Sequence, residues 1–194
     1  MSDVKVSVFS CSLHPQSRSY VMAQKAVEDL VGAGAQVTLY DLREYDLDFC
    51  GRPEAREYDR LGELRSAVRD ASAVLMAVPI YNFYVNAAAK NLIELTGREW
   101  IYKLVGFICA AGGQASYMSV MNIANSLMLD FRCIIVPRFV YATSVAFGND
   151  REPDMYVQDE SIVERINELA TMTVSLAKAL DPVIEEMPER KGRT

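Results

Sequence analysis

Five short apolar runs recur along the chain, and each is followed by a longer stretch in which apolar positions return every three or four residues. The runs are 4–10 (VKVSVFS), 36–42 (QVTLYDL), 73–81 (AVLMAVPIY), 104–112 (LVGFICAAG) and 133–141 (CIIVPRFVY). The periodic stretches cover roughly 18–33, 58–71, 86–98, 115–130 and 158–180. Near-continuous apolar runs suit strands covered on both faces, and a three-to-four repeat marks amphipathic helices. Strands alternating with helices imply right-handed crossovers onto a parallel sheet. The pattern predicts an α/β fold, a doubly wound five-stranded parallel sheet, with residues 1–187 as one domain and 188–194 as a disordered tail. No internal repeat or low-complexity linker interrupts the alternation. The longest irregular segment is 43–59, long enough to be a functional lid or an excursion, though a plain surface loop accounts for it equally well.

Composition narrows the class further. The chain has 194 residues, 51% hydrophobic and 24% charged, the balance of an ordinary globular protein. Twenty Lys and Arg against 26 Asp and Glu leave a net charge of -6, which argues against a nucleic-acid face. The N-terminus lacks the charged and apolar regions of a signal peptide, and no apolar run reaches the roughly 18 residues of a membrane span, so a soluble cytoplasmic protein without a membrane partner is expected. The four cysteines, Cys11, Cys50, Cys109 and Cys133, form no CxxC pair, and His14 is the sole histidine. That spacing favours reduced structural thiols over a metal site.

In an open parallel sheet a ligand sits beyond the carboxyl ends of the strands, so the loops after the first, third and fourth runs belong together. The first, SCSLHPQSRS (10–19), supplies the hydroxyls of Ser12, Ser17 and Ser19, the charge of Arg18, the potential charge of His14, and the amides at the start of a helix. One serine would suffice as a helix cap; three and an arginine suit a phosphate. The second, VPIYNFYVNAAAKN (78–91), gathers Pro79, Tyr81, Asn82, Phe83 and Tyr84 at a strand end, where the aromatics suit a flat ring unless Tyr81 and Phe83 fold back into the core. The third, AAGGQASY (110–117), has Gly112 and Gly113, which permit close approach of a ligand to backbone amides, or form a simple turn. Together the three fit a mononucleotide with a large planar ring, and flavin is the commonest such ligand for this winding.

These loops resemble those of the flavodoxin-like NAD(P)H-dependent FMN reductase family, especially the branch serving alkanesulfonate monooxygenases. Residues Ser12 to Ser19 match its Ser-rich first motif, Pro79, Ile80, Tyr81 and Asn82 match its Pro-Glu-Tyr-Asn, and Gly112 and Gly113 match its third loop, in order, over about residues 4–145. Cys11 stands where the family has glycine, His14 where it has arginine, Ile80 where glutamate is frequent, and Phe83 with Tyr84 where Gly-Ser is common. The resemblance implies strand order 2-1-3-4-5, FMN as cofactor and NAD(P)H as hydride donor. It also implies electron delivery to a second acceptor such as free flavin or a quinone. Ser12, His14, Ser17, Arg18 and Ser19 are then expected at the phosphate, with His14 carrying the arginine's role when protonated. Pro79, Ile80, Tyr81, Asn82 and Phe83 are expected along the ring, and Gly112 and Gly113 at its pyrimidine edge. No protein side chain is expected to act as acid, base or nucleophile, since the cofactor carries the chemistry. The resemblance further implies a flavin-dependent monooxygenase as possible partner, and a homodimer or homotetramer formed through 86–96 and the Met-rich stretch 115–131.

Two rivals share the winding. A low-molecular-weight phosphatase would use Cys11 as thiolate, but six residues separate Cys11 from Arg18, one too many for that cradle, and the Asp181-Pro182 pair follows the last predicted helix. A flavodoxin-type electron carrier usually has a Thr-rich first loop, which this chain lacks.

Overall fold

The structure, a computed structural model, describes residues 4–187, so the tail expected at 188–194 lies outside the described residues. The apolar runs form strands β1 (Lys5–Ser10), β2 (Gln36–Asp41), β3 (Ala73–Tyr81) and β5 (Leu104–Ala111), with the short strand β4 (Tyr84–Val85) turning back on β3. The fifth run is split into β6 (Ile134–Ile135) and β7 (Val140–Thr143). β1, β2, β3, β5, β6 and β7 pair in parallel in the order β2-β1-β3-β5, with β6 and β7 completing the edge as two pieces of one strand. This is the 2-1-3-4-5 winding, with one departure from the predicted strand. Leu104 pairs with Ile134 but Ile108 with Val140, so two extra residues are accommodated between them. Pro137 has no N–H to give the ladder, and Arg138 adopts φ 64°.

Alternate side chains of each strand enter opposite layers. Val74, Met76, Val78 and Ile80 join Phe9 and Trp100 in one core, and Ala73, Leu75 and Ala77 join Val8 and Met22 in the other. Helices α2 (Leu61–Arg69), α3 (Ala87–Thr96) and α4 (Met121–Phe131) cover the first face; α1 (Arg18–Gly32) and α5 (Glu160–Glu185) pack together on the second. Trp100, fully buried, donates its Nε1–H to Thr96 Oγ1 at 2.7 Å, so its one polar atom is satisfied inside the core.

Three predicted helices need correction. The stretch expected as one helix over 115–130 begins as a 3-10 segment, Gln114–Val120, broken at Ser116, and becomes α4 only at Met121. The stretch expected at 58–71 is helical only over Leu61–Arg69. α5 continues to Glu185, which places Asp181 and Pro182 inside the helix rather than after it. Segment 43–59 begins against the first loop, where Arg43 Nη1 donates to Pro15 O at 2.7 Å, and is fastened further on to α3. Asn91 on α3 accepts Cys50 N–H at its Oδ1 (2.8 Å) and donates its Nδ2 to Asp48 O (3.0 Å), while Ala55 packs with Leu61 and Leu95.

Candidate functional site

The carboxyl ends of β1, β3 and β5 open into a cleft of about 690 Å³, within the range that holds a cofactor. Its lining brings together Ser12, Ser17, Arg18 and Ser19 from the first loop, Pro79, Ile80, Tyr81, Asn82 and Phe83 from the second, and Ala110, Ala111, Gly112 and Ser116 from the third, with Arg151 added from beyond the sheet. Asn86 ties the first two loops, its Nδ2 donating to Cys11 O at 2.6 Å and its backbone N–H to Pro79 O at 3.1 Å. Tyr141 in β7 holds the third, donating its hydroxyl to Gly113 O at 2.5 Å and lying 2.7 Å from Ser116 Oγ.

The first loop is polar and compact. Ser12, Ser17 and Ser19 are buried. Ser17 is the N-cap of α1, accepting Tyr20 N–H at 3.1 Å, and its hydroxyl lies 3.0 Å from that of Ser19. Ser17 therefore caps the helix and also faces the cleft. Arg18 is paired with Asp150, Nε to Oδ1 at 2.7 Å and Nη2 to Oδ2 at 2.5 Å, and this pairing holds the Asp150 carboxyl below its ordinary range. His14 is exposed and lies outside the lining; its Nδ1 accepts Gln16 N–H at 3.1 Å. The cation that does line the cleft beside it, Arg151, was not among the sequence candidates.

In the second loop, Tyr81 and Phe83 do not fold into the core: they are 52% and 64% exposed. The reason is the turn. β3 pairs antiparallel with β4 through Ile80–Val85 and Tyr81–Tyr84, leaving Asn82 and Phe83 as a two-residue hairpin loop with φ 51° and 61°. Two successive positive φ values make the mirror-image turn that hairpin twist prefers, where asparagine is at home and phenylalanine is strained. Strain of this kind is typical of ligand contacts. In the third loop, a Cβ added to Gly112 or Gly113 would meet no atom within 4 Å, and neither residue needs a left-handed backbone. Neither packing nor conformation within the chain accounts for the two glycines. Open space beside bare backbone is what a closely approaching ring would require. Gly113 itself, like His14, is not part of the lining.

The phosphatase reading fails here. Cys11 is completely buried, its thiol donates toward Phe9 O at 3.7 Å, and burial, aided by Asp41, raises its pKa far above the ordinary thiol value. A thiol held protonated inside the protein cannot attack phosphorus.

The sequence profile described as NADPH-dependent FMN reductase matches residues 4–148. The chain belongs to that family. It is an oxidoreductase whose cofactors are FMN and NAD(P)H. An NAD(P)H-dependent FAD/FMN reductase from Geobacillus thermodenitrificans is 26% identical over 142 residues, covering 72% of this chain and 75% of its own. An NADPH azoreductase from Bacillus sp. is 23% identical over 191 residues, 97% and 99% of the two chains. The fold is shared with FerB, a flavoenzyme NAD(P)H:(acceptor) oxidoreductase from Paracoccus denitrificans. Its TM-score is 0.71 at 19% identity, covering 91% of this chain and 98% of FerB. The fold is also shared with RosB bearing 8-demethyl-8-formylriboflavin-5'-phosphate, at a TM-score of 0.75 and 15% identity, covering 98% of this chain and 90% of RosB.

Proposed function

We propose that the cleft is where this reductase holds FMN. Ser12, Ser17, Ser19 and the amides at the start of α1 face its phosphate, Pro79 to Phe83 lie along its ring, and the backbone at Gly112 and Gly113 meets the ring's edge. The observation that carries this is the joining, in one cleft, of a hydroxyl-lined end, a strained turn presenting exposed aromatics, and open space beside two glycines that nothing within the protein requires. Bound there, FMN supplies acceptance of a hydride from the nicotinamide and delivery of the electrons to a second acceptor. The chain's own residues bind and orient: hydroxyls and helix amides donate to the phosphate without formal charge, while Tyr81 and Phe83 offer apolar faces to the ring. No titrating side chain is needed in this arrangement, which suits a reaction whose protein contribution is positioning.

We read the acceptor as free flavin, a quinone or an azo compound, with a flavin-dependent monooxygenase as a partner consuming reduced flavin. Four free thiols suit a reducing compartment and support a cytoplasmic location. Self-association is supported by Tyr117, Met118, Met121, Met128 and Leu129, all exposed on α4 and the turn before it. α3 contributes little to such a surface, since Ala89, Leu92, Ile93 and Leu95 are already buried within the chain. Light scattering at micromolar protein should show a dimer or tetramer. The functional test follows NADPH and NADH oxidation with and without FMN. Nucleotide consumption that depends on FMN supports the reading; no binding and no turnover of FMN would sink it.

A further inference from the structure

Two cations line the cleft, Arg18 and Arg151, and their surroundings differ. Arg18 is gripped fork to fork by Asp150, with its side chain only 14% exposed. A guanidinium so engaged has its charge compensated locally and two of its directional donors spent. Arg151, one residue further on, makes no ion pair among the described residues. Its Nη1 donates to Gln16 O at 2.5 Å and lies 3.4 Å from His14 Nδ1, which sets the guanidinium against the first loop. The Nε and Nη2 donors have no partner among the described residues.

The backbone is shaped to hold Arg151 there. It lies in the loop of a small antiparallel hairpin, β8 (Phe147–Gly148) and β9 (Tyr156–Val157). Asn149 and Arg151 adopt φ 49° and 69°, a region that non-glycine residues avoid and that persists only where the surroundings over-determine it. The loop is pinned by Asn149 Nδ2 to Asp154 Oδ2 (2.7 Å), by Glu152 N–H to Asn149 O (2.9 Å) and by Arg151 N–H to Met155 Sδ (3.4 Å). The Arg18–Asp150 pair ties the same loop to the first turn of α1.

We propose that Arg151 is the cation that contacts the phosphate of FMN, reaching in from the β8–β9 hairpin, and that Arg18 is the anchor holding the hairpin in place. The ligand chemistry is a phosphate monoester dianion. His14 is exposed and does not line the cleft, so charge on this side of the loop comes from a residue 137 positions downstream. The inference rests on the FMN reading of the cleft.

The test titrates wild type, Arg151→Gln and Arg151→Gly with FMN and with riboflavin, which lacks the phosphate, following flavin fluorescence. Arg151→Gly is included because glycine adopts a φ of 69° without strain, so it cannot fail through the backbone. Both variants should lose FMN affinity by roughly 10- to 100-fold, the span of one charge-assisted hydrogen bond, while riboflavin binding is unchanged. A wild-type FMN-to-riboflavin ratio in either variant overturns the assignment and leaves the FMN site standing. Equal loss of both ligands also overturns it, since the residue would then act on the fold. An effect confined to the KM for NADPH overturns it by moving Arg151 to the nicotinamide nucleotide. Failure of the wild type to bind either flavin removes the cleft reading and this inference together.

Discussion

Replacing Asp150 by asparagine should lower both stability and FMN affinity, because the Arg18–Asp150 pair anchors the hairpin that carries Arg151. The side chain keeps its shape and loses its charge. Arg18 and Asp150 are 14% and 29% exposed and joined by two hydrogen bonds. An exposed pair contributes up to about 1 kcal/mol, whereas removing one partner of a buried pair costs about 3–5 kcal/mol. This pair, mostly covered but not sealed from water, should fall between, at about 2 kcal/mol. For a chain of this size that corresponds to a Tm lower by roughly 4–8 °C. Because Arg18 holds the Asp150 carboxyl below its ordinary range, the folded state releases that proton more readily than the unfolded chain. The contribution is therefore complete above the unfolded carboxylate pKa, near 4, and is lost as pH falls through the lower folded-state value. Urea unfolding of wild type and variant should show a constant gap near neutral pH that closes in the acidic window. With the anchor gone, the hairpin no longer holds Arg151 against the first loop, so FMN should bind less tightly. A gap that persists in acid, or one below about 0.5 kcal/mol, would refute the pairing as an anchor. Stability lost with FMN affinity unchanged or raised would mean that the pair does not position Arg151.

Gly106→Ala places a methyl 2.5 Å from Leu75 Cδ2 and 3.3 Å from Leu169 Cδ1 in the core, so denaturant unfolding should show a loss of about 1–3 kcal/mol; a neutral variant would mean that Leu75 can step aside. Cys11, Cys109 and Cys133 are buried and Cys50 is exposed, so a thiol reagent should titrate one cysteine in the native protein and four after denaturation, and rapid reaction of a second would contradict the burial of the other three. Phe83→Gly should relieve the left-handed strain at φ 61° and hold or raise stability by up to about 1 kcal/mol, while weakening FMN binding through loss of the exposed ring; unchanged FMN affinity would remove Phe83 from the site.

The strands and the three loops were legible because each depends on local pattern, while the strand order came from the family resemblance. An apolar run ending in Ser, Tyr or Gly says where a strand stops, and a parallel sheet then brings the carboxyl ends of its strands to one edge. The outward aromatics were half legible. Tyr81 and Phe83 read equally well as core until the turn is seen, and the asparagine at 82 is the only local sign that the next residues reverse with positive φ. The break in the fifth strand had its marker in Pro137. The late start of α4 at Met121 had none, because Ala115 to Phe131 keeps helical periodicity through the 3-10 segment that precedes it.

What could not be read was charge. From sequence, Arg18 is a free cation in a serine-rich loop; its neutralisation comes from Asp150, 132 residues away, and its replacement from Arg151 beside it. No periodicity connects 10–19 with 147–157, since the hairpin lies outside the main sheet and its position follows from tertiary contacts. The consequence is physical. Arg18, Asp150 and Arg151 together present a single net positive charge at the hydroxyl-lined end of the cleft, on a chain of net charge -6. A phosphate dianion there is not neutralised by side chains alone. Its binding must lean on neutral donors, the serine hydroxyls and the amides of α1, which act at contact distance and are little affected by salt, while the part that salt weakens is the share carried by Arg151.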